Sequence, residues 1–125
     1  MDYNNVKTPF YSEAEREFAP AQNWTTEGLD TLVLYIQGRP NNSAAGLYVV
    51  LTDSSNKSAV VAYAEPAPIR LARWTQWQIP LADFAGVNAA KIKKMAIGVG
   101  SRTATAGSGA GRIYVDDIRV TKSTK

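Results

Sequence analysis

The chain has 125 residues, 14 lysines and arginines against 11 aspartates and glutamates, a net charge of +3, and neither cysteine nor histidine. That length suits one domain burying roughly two-thirds of its unfolded surface. Without Cys and His there is no disulfide framework, no thiolate or imidazole metal site, and no Ser-His-Asp or other imidazole acid–base chemistry. Residues 10–18 alternate, with Glu13, Glu15 and Glu17 on one side and Ala14, Arg16 and Phe18 on the other. Spacing of two puts the glutamates on one face of a strand, whereas a helix would spread them around its axis. A helix opened by Ser12 and Glu15 as a capping box is the competing reading, and strand is preferred. Trp24 follows Pro20 in a loop. Thr31–Gln37 reads as a strand with Leu32, Leu34 and Ile36 on one face and Val33, Tyr35 and Gln37 on the other. Residues 47–52 place Leu47, Val49 and Leu51 inward and Tyr48, Val50 and Thr52 outward.

The polar run at 53–57 is a hairpin turn, with Asp53 capping it and Asn56 suited to positive φ. Residues 58–63 return from it. Pro66 and Pro68 make 65–68 a loop. Residues 74–79 form a strand ended by Pro80, with Trp77 and Ile79 sharing a core face. Residues 89–93 read as a helical turn, and 94–99 as another apolar strand. Lys91, Lys93 and Lys94 are the one basic cluster, and a solvated strand edge explains them more simply than a nucleic-acid patch. Residues 103–111 hold only Gly, Ala, Ser and Thr, a long loop. The last strand runs over 113–120. Seven or eight short strands of this spacing mean an all-β fold, an antiparallel sandwich. No apolar run approaches the ~18 residues of a membrane span, so no membrane insertion is expected. Met1-Asp2-Tyr3-Asn4-Asn5 has neither the basic start nor the apolar stretch of a secretion signal. Either the chain is cytoplasmic or its natural start lies elsewhere.

Three blocks in order, Trp74 to Trp77 with Ile79-Pro80-Leu81 and Asp83-Phe84, then Ile97-Gly98-Val99, then Tyr114-Val115-Asp116-Asp117-Ile118, resemble the closing strands of β-jelly-roll carbohydrate-binding modules. These are galactose-binding-like sandwiches appended to secreted bacterial polysaccharide-degrading enzymes. The resemblance covers about residues 3–122. It implies a jelly roll, a polysaccharide partner, an extracellular location, and strand sequence preceding Tyr3, so that the chain lacks the first strand of the pattern. A sheet edge left unpaired by that gap would favour self-association. It also implies a structural calcium held by an aspartate of the last strand, here Asp116 or Asp117, with a second carboxylate near the domain start. The competing reading of that pair is ordinary strand charges meeting Arg112 or Arg119.

Sugar binding needs flat aromatic faces for the C–H side of a pyranose and polar groups for its hydroxyls. Tyr35 and Tyr48 stand on polar faces of neighbouring runs and are taken as a platform pointing out of one sheet, or else as an ordinary cross-strand aromatic pair. Trp24, and Trp74 with Arg70 and Arg73, are the loop-end candidates. Glu13, Glu15 and Glu17 read as a solvated row rather than a glycosidase pair, which needs one desolvated carboxyl. The expectation is therefore a non-catalytic carbohydrate-binding module, the alternative being a structural or adhesive sandwich without a sugar site.

Overall fold

The structure is a computed structural model describing residues 2–4, 11–40, 42, 46–63, 69, 71–100 and 110–122, with the side chains of 2–4, 11, 27, 110 and 117 outside the description. Among the described residues nine antiparallel strands run in chain order: β1 Asp2–Asn4, β2 Tyr11–Gln22, β3 Thr31–Gln37, β4 Leu47–Asp53, β5 Ser58–Ala62, β6 Thr75–Pro80, β7 Ile92–Gly100, β8 Ala110–Arg112 and β9 Tyr114–Thr121. They form a four-stranded sheet β2-β7-β4-β5, a three-stranded sheet β6-β3-β9 and the pair β1-β8. Only single turns of 3-10 helix interrupt the strands among the described residues. The fold is the expected all-β sandwich.

The alternation read from the sequence builds the core. Leu32, Leu34 and Ile36 of β3 and Trp77 and Ile79 of β6 face Leu47, Val49 and Leu51 of β4 and Met95, Ile97 and Val99 of β7, all buried in one cluster. A Leu or Val side chain fully removed from water contributes about 1.5–3 kcal/mol, so this shared face is what holds the two sheets together. Asn56 has φ 63° at the β4–β5 turn, as its residue type suggested. Ala89–Lys91 forms a 3-10 turn capped by the Asn88 side chain, and β7 begins directly after it.

Three expectations are corrected. β7 lies between β2 and β4, so Lys93 and Lys94 are on an interior strand rather than an edge. Lys94 instead reaches Glu15 at 3.9 Å across the β2–β7 ladder. Ala110 and Gly111, read as the end of a loop, open the strand Ala110–Arg112, which pairs with Asp2–Asn4. Finally, β3 and β4 belong to different sheets. Tyr35 and Tyr48 therefore point away from opposite sides of the sandwich and make no common platform. The rest of the 103–111 segment, and the Pro66–Pro68 loop, lie outside the described residues.

Candidate functional site

Each sheet offers one outer face. On the four-stranded sheet the register aligns Glu13, Gly98, Tyr48 and Ala62 in one row and Glu15, Ala96, Val50 and Val60 in the next. The glutamates share the outer side of β2, as their spacing required. Tyr48 also points outward yet is 2% exposed. Its ring lies flat across Gly98, where a Cβ would overlap the ring, and its hydroxyl donates to Glu13 Oε2 at 2.5 Å. Tyr48, Val50 and Ala96 form a small second buried cluster. A phenol lying on its own sheet, closed off from water and tied to a carboxylate, has no free face for a sugar.

The three-stranded sheet differs. Its outer residues are Gln76 and Gln78 on β6, Val33, Tyr35 and Gln37 on β3, and Tyr114, Asp116 and Arg119 on β9. Gln37 pairs with Tyr114 in the register, and one step along the strands Gln76, Tyr35 and Asp116 form a row. Trp74 stands immediately before β6, whose first residue Thr75 pairs with Ile36. Trp74 is 48% and Tyr114 37% exposed. Polar groups on this face are held in place. Gln76 Nε2 donates to the Tyr35 hydroxyl at 2.8 Å, Gln78 Nε2 to Gln76 Oε1 at 3.1 Å, and Gln37 Nε2 to the Ala72 carbonyl at 3.3 Å. Exposed aromatic rings with fixed amides and a phenol supply both kinds of contact that a pyranose takes: apolar faces for its C–H side and hydrogen-bonding groups for its hydroxyls.

Of the residues singled out from sequence, the structure places Tyr35 on this face, with Trp74 and Arg73 exposed just before β6. Arg70 lies outside the described residues. Trp24 is elsewhere and 7% exposed: it packs in the core cluster, edge-on to Phe18 at 6.0 Å, with Nε1 donating to Gln22 Oε1 at 3.2 Å. It is the wall of a slot of about 320 Å³ between the edges β2 and β9, with Arg16 and Arg119 also lining it. Tyr114, Gln37 and Gln76 were not chosen from sequence. Strand alternation does place Tyr114 opposite the inward Val115, but only the β3–β9 register shows that it faces Gln37.

Asp116 sits in register with Tyr35 and is exposed, and the side chain of Asp117 lies outside the description. Among the described residues no three carboxylates come together as a metal would need. Asp116 therefore offers one donor group toward the six to eight oxygens of a calcium shell. Asp53, a buried carboxylate, is fully used in structure. Its Oδ1 accepts from Ser55 N at 2.9 Å and Lys57 N at 3.0 Å, and Oδ2 from Asn88 N at 2.8 Å. Those N–H groups, Asn88 first, hold its pKa below the ordinary carboxylate value against the opposing effect of burial. Among the described residues no helix is long and apolar enough to cross a membrane.

No family model matches the sequence, and no curated protein sequence does. Solved structures do match in fold. A structure of an exo-β-agarase superposes with a TM-score of 0.69 at 12% identity, over 92% of this chain and 18% of that one. A family 30 carbohydrate-binding module gives 0.67 at 10% identity, over 96% of this chain and 65% of that module. The family 11 carbohydrate-binding module from Clostridium thermocellum, solved with a β-1,3-1,4-mixed-linked tetrasaccharide, gives 0.60 at 12% identity, over 90% of this chain and 69% of that one. At these identities the likeness is one of fold, and it matches the fold expected from the closing-strand motifs.

Proposed function

We propose that this chain is a non-catalytic carbohydrate-binding module that holds a polysaccharide on the outer face of its three-stranded sheet. The observation that carries the reading is the exposed Tyr114 ring in register with Gln37, next to the Gln76–Tyr35 pair, with the exposed Trp74 at the start of β6. The fold shared with carbohydrate-binding modules supports it, as does the lack of any His or Cys. The three glutamates of β2 give no catalytic pair: Glu13 is hydrogen-bonded to Tyr48, while Glu15 and Glu17 are solvent-exposed. A raised carboxyl pKa requires desolvation.

Such a module raises the local concentration of substrate for an enzyme to which it is joined. Attachment to a secreted polysaccharide-degrading enzyme, and so an extracellular location, is part of the same proposal. A structural calcium at Asp116 and Asp117 is a separate proposal resting on the resemblance, and a chelator-induced fall in Tm tests it. Affinity electrophoresis in gels containing soluble glucans, xylans, mannans or galactans tests the function itself. Retardation in at least one gel, reduced in Trp74→Ala, is expected. Migration unaffected by every glycan would leave the structural or adhesive reading in its place.

A further inference from the structure

The slot of about 320 Å³ between β2 and β9 is lined by no residue of the Gln76–Tyr35–Asp116 row and carries chemistry of its own. Arg16 pairs with the core residue Met95 in the β2–β7 register, so it stands on the side of β2 that faces the sandwich interior, yet it is exposed. Both lips of the slot break their ladders. β2 loses register with β7 between Glu17 and Gln22, and on β9 two residues, Asp117 and Ile118, stand against Leu34 alone. Bulges of this kind re-aim side chains, often beside functional sites. Phe18 and Ile118, within the two breaks, both line the slot. We infer that the slot binds a small aromatic carboxylate, its ring on the apolar floor and its carboxylate turned to the guanidiniums of Arg16 and Arg119. This site does not rest on the glycan-binding reading above.

The polar side chains select the anion. Arg16 lies over the Phe18 ring at 5.6 Å, a cation–π contact that steadies the guanidinium and uses none of its N–H donors. Among the described residues no carboxylate pairs with it. The two amides that line the slot add further donors. Gln22 Oε1 accepts from Trp24 Nε1 at 3.2 Å, and Asn23 Oδ1 accepts from Thr25 N at 2.8 Å and Thr25 Oγ1 at 2.6 Å. With both oxygens engaged inside the protein, each amide offers a ligand its NH2 group. A negatively charged group that only accepts hydrogen bonds matches such a set.

The floor selects the rest of the ligand. Phe18, Trp24, Leu32, Met95 and Val120 line it, with Phe18 and Trp24 edge-to-face at 6.0 Å. Aromatic edges and a thioether sulfur suit an aryl ring. A pyranose suits them less, because its hydroxyls donate as well as accept and would be buried against hydrocarbon without partners. The volume lies at the small end of ligand pockets, which run from about 300 to 1,000 Å³. One ring on a short chain fits that size.

Isothermal titration of the full chain with 3-phenylpropanoate tests this, with 3-phenylpropanamide, acetate and glucuronate as comparators. Saturable binding of 3-phenylpropanoate is expected. Affinity should be about tenfold or more lower for the uncharged amide, for acetate without the ring, and for the hydroxyl-rich glucuronate. Arg16→Gln and Arg119→Gln should each weaken binding about fivefold or more. Both side chains are exposed, so Tm should stay near the parent value. Trp74→Ala should bind 3-phenylpropanoate as the parent does. Equal affinity for any of the three comparators would overturn the inference, as would binding that ignores both arginine substitutions or is lost in Trp74→Ala. No saturable binding at millimolar ligand would overturn it too. Each of these results leaves glycan retention by the three-stranded face untouched, and failure of that retention in every gel would overturn the proposed function alone.

Discussion

Tyr48 donates its hydroxyl to Glu13 Oε2 at 2.5 Å across Gly98, linking β4 to β2 over the strand between them. Only a glycine leaves room for the ring to lie there, since a Cβ at position 98 would meet the Tyr48 ring and hydroxyl. Gly98→Ala is expected to destabilise the domain by about 1–3 kcal/mol, the cost of overpacking a closed site. Tyr48→Phe should cost about 1 kcal/mol, because it removes one hydrogen bond and keeps the ring. Urea unfolding of both variants checks the order, and a Gly98→Ala protein as stable as the parent would mean the ring rests elsewhere.

The two tyrosines should behave differently on truncation. Tyr48→Ala empties a closed site and should cost about 3 kcal/mol or more. Tyr35→Ala removes a half-buried ring and the acceptor of Gln76, so its main effect should be weaker retention in glycan gels. Melting curves beside gel mobility separate the two. If Tyr48→Ala kept the parent Tm and lost retention, the binding face would be that of the four-stranded sheet.

What the sequence made legible was local. The period of two in Thr31–Gln37 gives both faces of β3, and the polar run with Asn56 gives the β4–β5 turn, because each depends on neighbouring residues only. Partition into sheets is not local. β3 and β4 are consecutive and both alternate, and nothing in the alternation shows that the chain crosses to the other layer between them. The pairing of Tyr48 and Tyr35 failed on that point. Exposure failed for a related reason: parity puts Tyr48 outside its sheet, but its burial depends on a glycine in β7. Gln76, Tyr35 and Tyr114 come onto one face only once β3 is known to lie between β6 and β9.

Trp77 belongs to the core, as the alternation with Ile79 predicts. It is buried between the sheets and meets Tyr63 edge-on at 5.0 Å between centroids. Trp77→Ala should therefore cost about 3–5 kcal/mol. A variant that melts with the parent would place the indole outside the packed interior.

Asp53 should give the domain an acid-sensitive element. Its folded-state pKa lies below the ordinary value because Asn88, Lys57 and Ser55 donate to it. A depressed carboxyl pKa stabilises the fold above the unfolded-state pKa, and the contribution is lost as pH falls through the folded value. Asp53→Asn cannot accept all three N–H groups, so its Tm at neutral pH should fall. The difference from the parent should then narrow as pH is lowered through and below ~4. A constant offset at every pH would show that the charge is not what matters.

Asn42 ties together the two segments that lead to Trp74 and to Tyr114. Its side chain is buried; Nδ2 donates to the Ile69 carbonyl at 2.5 Å and to the Arg112 carbonyl at 2.8 Å, and Oδ1 accepts from Arg112 N at 3.0 Å. By exchanging bonds with both the N–H and the C=O of Arg112, the amide acts as one residue of an antiparallel strand would. Arg112 stands two residues before Tyr114. On the other side, Ile69 precedes Leu71, whose carbonyl accepts from Gly38 N at 2.8 Å, and Gly38 packs so tightly on Ile69 that no Cβ fits between them. Asn42→Ala removes three hydrogen bonds in a closed site and should cost about 2–4 kcal/mol. Asn42→Asp should be worse, because a carboxylate keeps the acceptor but faces two carbonyl oxygens with no proton to offer. Both substitutions should also weaken glycan retention at temperatures where the fold persists, since Trp74 and Tyr114 lose the clamp that fixes their separation. Denaturant curves ranking Asp above Ala, or retention equal to the parent in a folded Asn42→Ala protein, would show that the clamp does not govern the site.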